Sequence, residues 1–214
     1  MVHNLSEQNS IANHFLMELR DKSLQQDRMR FRKNMERLGA IMAFEISKGL
    51  AYERHTIETP LEKTEINMLA QQPVLVPVLR AGLAYYQGFA NFFDRADSGF
   101  IGAYRKEGGE AITINLEYLA TPSLEGRNVI LIDPMLATGR SFIKSVNELM
   151  EHGRPAHLYV AAVVAAPEGL KFIKENLKIA FSIWTWAIDD HLNPQFYIVP
   201  GLGDAGDLSY GVKL

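Results

Sequence analysis

The hydrophobic positions of the chain follow two different patterns, and the change falls near residue 60. Between Ser23 and Leu50, apolar residues recur every three or four positions with charged residues between them, which is typical of one long amphipathic helix. Gln26 follows Ser23 at capping-box spacing, so the helix is predicted to begin at Ser23. The apolar stripe consists of Phe31, Met35, Leu38, Met42 and Ile46.

After residue 60 the chain alternates between short, continuously apolar runs and helical patterns. This alternation is typical of an α/β protein in which a parallel sheet is covered by helices on both faces. Ligands of such sheets bind beyond the carboxyl ends of the strands, so the loops after the strands are the places to search for chemistry. The predicted strands are 73–79, 99–104, 128–132, 157–166 and 179–188, and the predicted helices are 83–93, 141–153 and 167–177.

Composition narrows the class of protein further. The chain has 214 residues, of which 47% are hydrophobic and 22% charged, a balance typical of an ordinary folded domain. A net charge of −3 argues against nucleic acid as the main partner, and the lack of cysteine excludes disulfides and thiolate metal sites. No signal peptide or membrane-spanning run is recognisable, so we expect a cytoplasmic protein with no membrane partner.

We predict a single domain over residues 1–214. Its parts would be an N-terminal helical segment at about 1–60, a core at about 70–190 and a C-terminal loop at about 196–211. No internal repeat, low-complexity tract or interdomain linker interrupts this order.

The stretch VILIDPMLATGRSF at 129–142 carries the first candidate chemistry. Asp133 closes a buried strand, and the next turn offers two hydroxyls, Thr138 and Ser141, around Gly139 before a helix begins. Backbone N–H groups at a helix start bind phosphate, and a neighbouring carboxylate suits a pair of sugar hydroxyls, which together describe a ribose 5-phosphate. The alternative is an ordinary turn that caps the next helix. Neither a Walker A loop nor a dinucleotide fingerprint is present.

This stretch resembles the 5-phosphoribosyl 1-diphosphate (PRPP) motif of the type I phosphoribosyltransferases, in the version of the uracil-specific branch. Most other members carry two adjacent acids, whereas Ile132 and Pro134 flank a single Asp133, as in the uracil branch. Arg140 stands where relatives commonly have glycine, and we expect its backbone N–H to keep the phosphate contact. The PRPP contacts implied here are Asp133, Pro134, Met135, Leu136, Ala137, Thr138, Gly139, Arg140 and Ser141.

Two arginine-containing loops extend the resemblance. Arg80 lies in an LRAG sequence after the first core strand, and the family likeness implies that it holds the pyrophosphate of PRPP. Arg105 ends the next strand and is implied as a second pyrophosphate contact, with 106–117 as a flap. Lys106 and the glycine pair 108–109 depart from the family pattern in that flap.

The C-terminal sequence YIVPGLGDAGD at 197–207 is the next most specific match. It surrounds Asp204 with glycines, and the resemblance implies that main-chain groups here hold uracil. A fixed backbone can complement the acceptor, donor and acceptor on one edge of uracil, whereas cytosine would leave donors facing donors. Leu208 replaces an arginine usual in the family. The implied uracil contacts are Ile198, Gly203, Asp204 and Ala205, and Asp204 is also expected to touch PRPP.

The implied activity is transfer of the phosphoribosyl group from PRPP to uracil, giving UMP and pyrophosphate in pyrimidine salvage. The residues implied as catalytic are Arg80, Arg105, Asp133 and Asp204. Mg²⁺ is the implied cofactor, and we expect pyrophosphate oxygens and waters to hold it rather than dedicated protein ligands. Two alternatives remain, namely a non-catalytic nucleotide-sensing regulator on the same fold and a phosphoribosyltransferase for another base.

The resemblance also implies a homo-oligomer, either a dimer or a tetramer. The long helix and the pair Tyr85 and Tyr86, expected to be exposed, are candidates for the interface. GTP is an allosteric effector of some relatives, so the resemblance also implies GTP binding and allosteric control as expectations for this chain.

Overall fold

A mostly parallel β-sheet lies at the centre of the computed structural model, which describes residues 1–106 and 113–213, with the side chains of 103–117 outside the description. The strands are β1 (Val2–Asn4), β2 (Tyr52–Glu58), β3 (Lys63–Leu69), β4 (Val74–Leu79), β5 (Asp97–Ser98), β6 (Phe100–Lys106), β7 (Thr113–Ala120), β8 (Asn128–Ile132), β9 (Met135–Leu136), β10 (His157–Ala165), β11 (Phe181–Ile188), β12 (His191–Leu192) and β13 (Ile198–Val199). The helices are α1 (Ala12–Arg20), α2 (Arg28–Ser47), α3 (Gly82–Ala90), α4 (Arg140–Met150), α5 (Pro167–Asn176) and α6 (Ala205–Tyr210).

The strand order of the central sheet is β1-β11-β10-β8-β4-β6-β7. Every neighbouring pair is parallel except β6 and β7, which are antiparallel. The carboxyl ends of β4, β8, β10 and β11 therefore meet at one edge of the sheet, and their following loops gather there. The α/β class and the five predicted strands are confirmed, since each predicted run coincides with β4, β6, β8, β10 or β11 to within a few residues.

Helices cover both faces of the sheet, because successive residues of the buried strands point to opposite sides. Ile130 and Ile132 of β8 pack in one core cluster together with residues of α1, α2 and α3. Val129 and Leu131 of the same strand pack in a second cluster with residues of α4 and α5. This continuous apolar character made the strands recognisable in the sequence.

The predicted start of the long helix is wrong by five residues. Ser23 lies in a turn after α1, where its backbone N–H donates to a carboxylate oxygen of Asp21 at 2.7 Å. Helix α2 begins at Arg28, because the Asp27 carboxylate accepts a hydrogen bond from the N–H of Arg30 at 3.0 Å and caps the helix. Two capping signals lie within five residues of each other, and the carboxylate nearer the apolar stripe forms the cap.

Several further elements were not predicted, among them α1, α6 and the strands β1, β2 and β3. Strands β2 and β3 form an antiparallel hairpin in pairing from Tyr52 with Leu69 to Glu58 with Lys63, so the helical part of the N-terminal segment ends before residue 60. Strand β1 adds to the edge of the sheet beside β11. The expected exposure of Tyr85 is also wrong, because its ring is fully buried and its hydroxyl donates to the carbonyl of Ala162.

None of the helices in the described ranges is long and apolar enough to cross a bilayer.

Candidate active site

The loop after β8 places one carboxylate at the carboxyl edge of the sheet. The Asp133 N–H donates to the carbonyl of Ala161 on β10 at 3.1 Å, and the carboxylate accepts from the N–H of Met135 at 3.2 Å. Burial raises the pKa of Asp133 to about 7, although the Met135 hydrogen bond acts in the opposite direction. A ligand that donates hydrogen bonds to this carboxyl group, or that brings a cation, would stabilise its ionised form.

The turn that leads from Asp133 into α4 is held tightly against α5. Gly139 has φ +74°, and a Cβ atom there would lie 2.9 Å from the carbonyl oxygen of Gly169. A Cβ atom on Gly169 would lie 2.2 Å from the carbonyl oxygen of Ala137, so the two backbones touch through a pair of glycines. The N–H of Arg140 donates to the Thr138 hydroxyl at 3.3 Å. The turn is thus a compact backbone cradle at the start of an 11-residue helix.

Arg80 follows β4 and is held by the C-terminal part of the chain. Its guanidinium donates to the Asp207 carboxylate of α6 at 2.8 Å, and 44% of its side chain is exposed. The Leu79–Arg80 peptide bond is cis. Ala81, the next residue, lines the cavity described below, whereas Arg80 itself is not among the lining residues.

The C-terminal loop closes the site from the other side. The Asp204 carboxylate accepts from the N–H of Asp207 at 2.9 Å and caps α6, and the ammonium of Lys213 lies 3.9 Å from its other oxygen. Gly201 and Gly203 have positive φ angles of +58° and +90°, which glycine adopts without strain.

These loops surround a cavity of about 200 Å³. Two carboxylates, Asp133 and Asp204, border it. Its lining consists of Ala81, Asp133, Met135, Ala137, Thr138, Gly139, Ser141, Phe142, Phe196, Tyr197, Ile198, Gly203, Asp204, Ala205, Gly206 and Lys213. Residues from the loops after β4 and β8 and from 196–206 therefore meet around one space.

The residues predicted for the site are mostly brought together. The predicted residues that line the cavity are Asp133, Met135, Ala137, Thr138, Gly139, Ser141, Ile198, Gly203, Asp204 and Ala205. Pro134 and Leu136 are buried and do not line it, and Arg140 is exposed and does not line it either. The side chain of Arg105 and the flap prediction at 106–117, including Lys106 and 108–109, lie outside the described side chains, and Leu208 is half-buried beside Gly203.

Sequence reasoning missed a salt bridge that supports the C-terminal loop. Asp189, which follows β11, is 7% exposed and accepts two hydrogen bonds from the Arg20 guanidinium, at 2.8 and 3.1 Å. The same carboxylate accepts from the N–H of Gly201 at 2.8 Å. Gln25 donates from its side-chain amide to the carbonyl of Leu202 at 3.2 Å. Two N-terminal side chains thus fix the loop from the side away from the cavity.

One sequence signal could have identified Asp189, because it ends an apolar strand just as Asp133 does. Its partner Arg20 lies 169 positions away, and no local pattern connects the two. Phe196, Tyr197 and Lys213 also line the cavity without having been predicted.

A metal cage of protein ligands is not found in the described residues, which hold no group of three or more His, Asp or Glu side chains able to bind an ion. The carboxylates of Asp133 and Asp204 nevertheless border the cavity, and oxygen donors of this kind suit Mg²⁺. The site therefore fits a magnesium ion that arrives with oxygen ligands of its substrate.

The parallel sheet, the backbone cradle after β8 and the cavity at the carboxyl edge form the arrangement expected of a phosphoribosyltransferase. The family model for uracil phosphoribosyltransferase matches residues 6–212. The chain belongs to the uracil phosphoribosyltransferase family.

Relatives match along nearly the whole chain. The uracil phosphoribosyltransferase of Porphyromonas gingivalis strain W83 is 42% identical over 211 residues, covering 98% of this chain and 98% of the relative. That of Malacoplasma penetrans is 40% identical over 195 residues, covering 91% and 93%. Among solved structures, the AQ2163 protein from Aquifex aeolicus is 33% identical with a TM-score of 0.89 and covers 100% of both chains.

Proposed function

We propose that this protein transfers the 5-phosphoribosyl group of PRPP to uracil, giving UMP and pyrophosphate. The observation that carries the proposal is the convergence of the loops after β4 and β8 with 198–206 around one cavity. The relatives with matching length carry the name of this activity, which supports the choice of base.

The proposed binding of PRPP follows the chemistry of each loop. The 5-phosphate lies in the cradle of 137–141, where backbone N–H groups and the start of α4 favour an anion. The ribose hydroxyls donate hydrogen bonds to Asp133, which accepts from both of them in its ionised form. The pyrophosphate lies toward Ala81, with Arg80 and Arg105 as its proposed arginine contacts. Binding would require Arg80 to exchange its partner Asp207 for the pyrophosphate.

Mg²⁺ would be held by pyrophosphate oxygens and waters, with the cavity carboxylates of Asp133 and Asp204 as outer contacts through water. When bound it would neutralise negative charge on the leaving group.

The proposed uracil site is the main chain of the C-terminal loop. Ile198, Gly203 and Ala205 line the cavity and present backbone groups to the edge of the base. Because Arg20 and Gln25 fix this loop from outside, its donors and acceptors keep one arrangement. A rigid complementary edge discriminates against a base with a donor at the position of O4.

The reaction forms a bond between N1 of uracil and C1′ of the ribose and breaks the bond between C1′ and the pyrophosphate oxygen. The electron pair of the broken bond leaves with pyrophosphate, and the proton of N1 passes to solvent. The chain's contribution is to orient the two substrates and to stabilise charge that grows on the leaving group. The described residues need to supply no covalent intermediate.

We propose a homo-oligomer, a dimer or tetramer, and a cytoplasmic location, both of which rest on the family resemblance. Allosteric control by GTP is a separate proposal, and sedimentation and activity measurements with and without GTP would test it.

The proposed function is tested by incubating the purified protein with PRPP, MgCl₂ and, separately, uracil, cytosine, hypoxanthine and adenine. We expect UMP and pyrophosphate from uracil alone, identified by chromatography and mass. Asp133→Asn should lower kcat/KM by about a hundredfold, since it removes a charge that faces the substrate. Asp97→Asn is the matched control, because Asp97 lies at the opposite edge of the sheet and pairs with Arg127.

A product from a purine would support a transferase for another base. Binding of nucleotides without any product would support the non-catalytic regulator.

A further inference from the structure

The cavity proposed for PRPP is short of positive charge. Two of its lining residues, Asp133 and Asp204, carry carboxyl groups, yet the ligand carries a phosphate and a pyrophosphate. A polyanion enters such a space only if cations offset both its own charge and that of the carboxylates. Bound Mg²⁺ offsets part of this charge, and the protein must supply more.

Among the described residues that line the cavity, Lys213 alone has a cationic side chain. The Arg80 guanidinium is bound to Asp207 and does not line the cavity, and Arg140 is exposed and does not line it either. Lys213 lies three residues after the end of α6, close to the C-terminus of the chain.

The position of Lys213 selects one end of the ligand. Its ammonium lies 3.9 Å from Asp204, which caps α6. Gly206, in the first turn of α6, lies beside Ala81, since a Cβ on Gly206 would be 3.9 Å from the Ala81 nitrogen. Arg80 is tied to Asp207 of the same helix. Lys213 therefore lies beside the start of α6, the helix that contacts the loop after β4 through Gly206 and Asp207.

The present partner of Lys213 would release it readily. The contact with Asp204 is long, and both side chains are partly exposed, at 48% and 36%, so solvent screens their attraction. A pyrophosphate carries more charge than one carboxylate and offers several oxygens, which makes it the stronger partner for an ammonium ion.

We propose that Lys213 is a substrate-binding residue that contacts the pyrophosphate group of PRPP and stabilises it as it leaves. The inference rests on the proposed function, because it takes PRPP as the ligand of this cavity. It assigns a role to the C-terminal tail, which the sequence motifs did not cover.

The test compares Lys213→Met, Lys213→Arg and the control Lys178→Met. Lys178 is exposed, precedes β11 at the opposite edge of the sheet and bonds only to a local carbonyl among its described contacts. Met keeps the length of the lysine stem while removing the charge, and Arg restores the charge. Each protein is assayed for the KM of PRPP, the KM of uracil and kcat, and inorganic pyrophosphate with MgCl₂ is titrated into each by calorimetry.

We expect Lys213→Met to raise the KM of PRPP and the Kd of pyrophosphate by about tenfold, the loss typical of one charge-assisted hydrogen bond. The KM of uracil should change by less than about twofold, because the proposal assigns the ammonium to the pyrophosphate and the base to main-chain groups. Lys213→Arg should restore most of the pyrophosphate affinity, and Lys178→Met should match the unaltered protein.

Unchanged pyrophosphate affinity and PRPP KM in Lys213→Met would overturn the proposal. So would an equal rise in the KM of uracil and of PRPP, since that pattern indicates a general disturbance of the loop. If the unaltered protein forms no UMP, the proposed function fails, and the calorimetric titration still decides whether Lys213 binds pyrophosphate.

Discussion

Asp133 combines a structural cost with a proposed role in binding. Its pKa is raised by burial from the ordinary 3.8 to about 7, so the folded protein holds this proton more strongly than the unfolded chain. A raised carboxyl pKa contributes most to stability below pH 4, and that contribution is lost as the pH rises to about 7. Ionised Asp133 therefore destabilises the ligand-free protein at neutral pH.

Asp133→Asn should remove this pH dependence. We expect the variant to gain about 2 kcal/mol over the unaltered protein when urea unfolding at pH 8 is compared with pH 4.5. This figure is roughly half the free energy that corresponds to the whole pKa shift, because the carboxyl group borders the cavity and solvent there weakens the effect of burial. Asp97→Asn is the control and should show no such gain. Parallel stability curves for Asp133→Asn and the unaltered protein would contradict the account.

A comparison of Gly139 with Gly126 distinguishes the cost of a positive φ angle from the cost of a close backbone contact. Both have positive φ, +74° and +67°, but a Cβ on Gly126 meets nothing within 4 Å, whereas one on Gly139 meets the carbonyl of Gly169. Gly126→Ala should cost about 1 kcal/mol of unfolding free energy and leave the kinetics unchanged. Gly139→Ala should cost about 3 kcal/mol and raise the KM of PRPP about tenfold, because the cradle must shift.

Urea unfolding and steady-state kinetics on both variants decide the point. Equal losses of stability, or an unchanged KM of PRPP in Gly139→Ala, would show that contact with α5 does not shape the cradle.

At the scale of elements, the C-terminal loop depends on the N-terminal segment. Arg20 pairs with nearly buried Asp189, which also holds the N–H of Gly201. Arg20→Met would leave a buried carboxylate without its cation, and we expect a loss of about 3 kcal/mol in unfolding free energy. The KM of uracil should rise about tenfold because the loop that presents the backbone edge is released, while the KM of PRPP should change by less than about threefold.

Two controls accompany this variant. Arg20→Lys keeps the charge and should recover most of the uracil affinity. Arg30→Met breaks a more exposed pair with Glu18 and should cost at most about 1 kcal/mol with no kinetic effect. A rise in KM that is equal for both substrates would contradict a specific role of the Arg20–Asp189 pair in base binding.

The elements that sequence predicted and those it missed differ in how local their causes are. The strands β4, β8 and β10 are apolar except for Asn128 and His157 at the first positions of β8 and β10, so each can be recognised from a few consecutive residues. The hairpin β2–β3 has exposed residues at nearly every position and offers no apolar run to recognise. The motif loops were predicted because each carries its chemistry in consecutive residues, whereas the Arg20–Asp189 pair joins distant parts of the chain.

At the scale of the whole molecule, the hairpin β2–β3 keeps large apolar side chains exposed in the single chain. Its pairing register places Ile57, Ile66 and Met68 on one face, and all three are exposed. Glu53, His55 and Thr64 lie on the same face, where the His55 ring and the Glu53 carboxylate are 3.0 Å apart. An isolated two-stranded hairpin is marginally stable in water. We therefore propose that this face packs against a second copy of the chain, in keeping with the expected oligomer.

Replacing Ile57 and Ile66 together by Glu should weaken that association. We expect sedimentation equilibrium to give a dimer or larger assembly for the unaltered protein and a smaller species for the double variant, since charges in place of the two isoleucines oppose burial of this face. Replacing Arg54 and Asn67, which lie opposite each other on the other face, by Glu is the matched control. If the unaltered protein is a monomer, the proposed packing of this face against a second copy is contradicted.

The central claim, that this cavity joins uracil to the ribose of PRPP, is tested most directly by identifying the product formed from PRPP, MgCl₂ and an equimolar mixture of uracil, cytosine, hypoxanthine and adenine. The account predicts UMP as the product, with one pyrophosphate released for each UMP formed. A nucleotide of any other base as the main product, or no nucleotide at all from a folded protein, would contradict it.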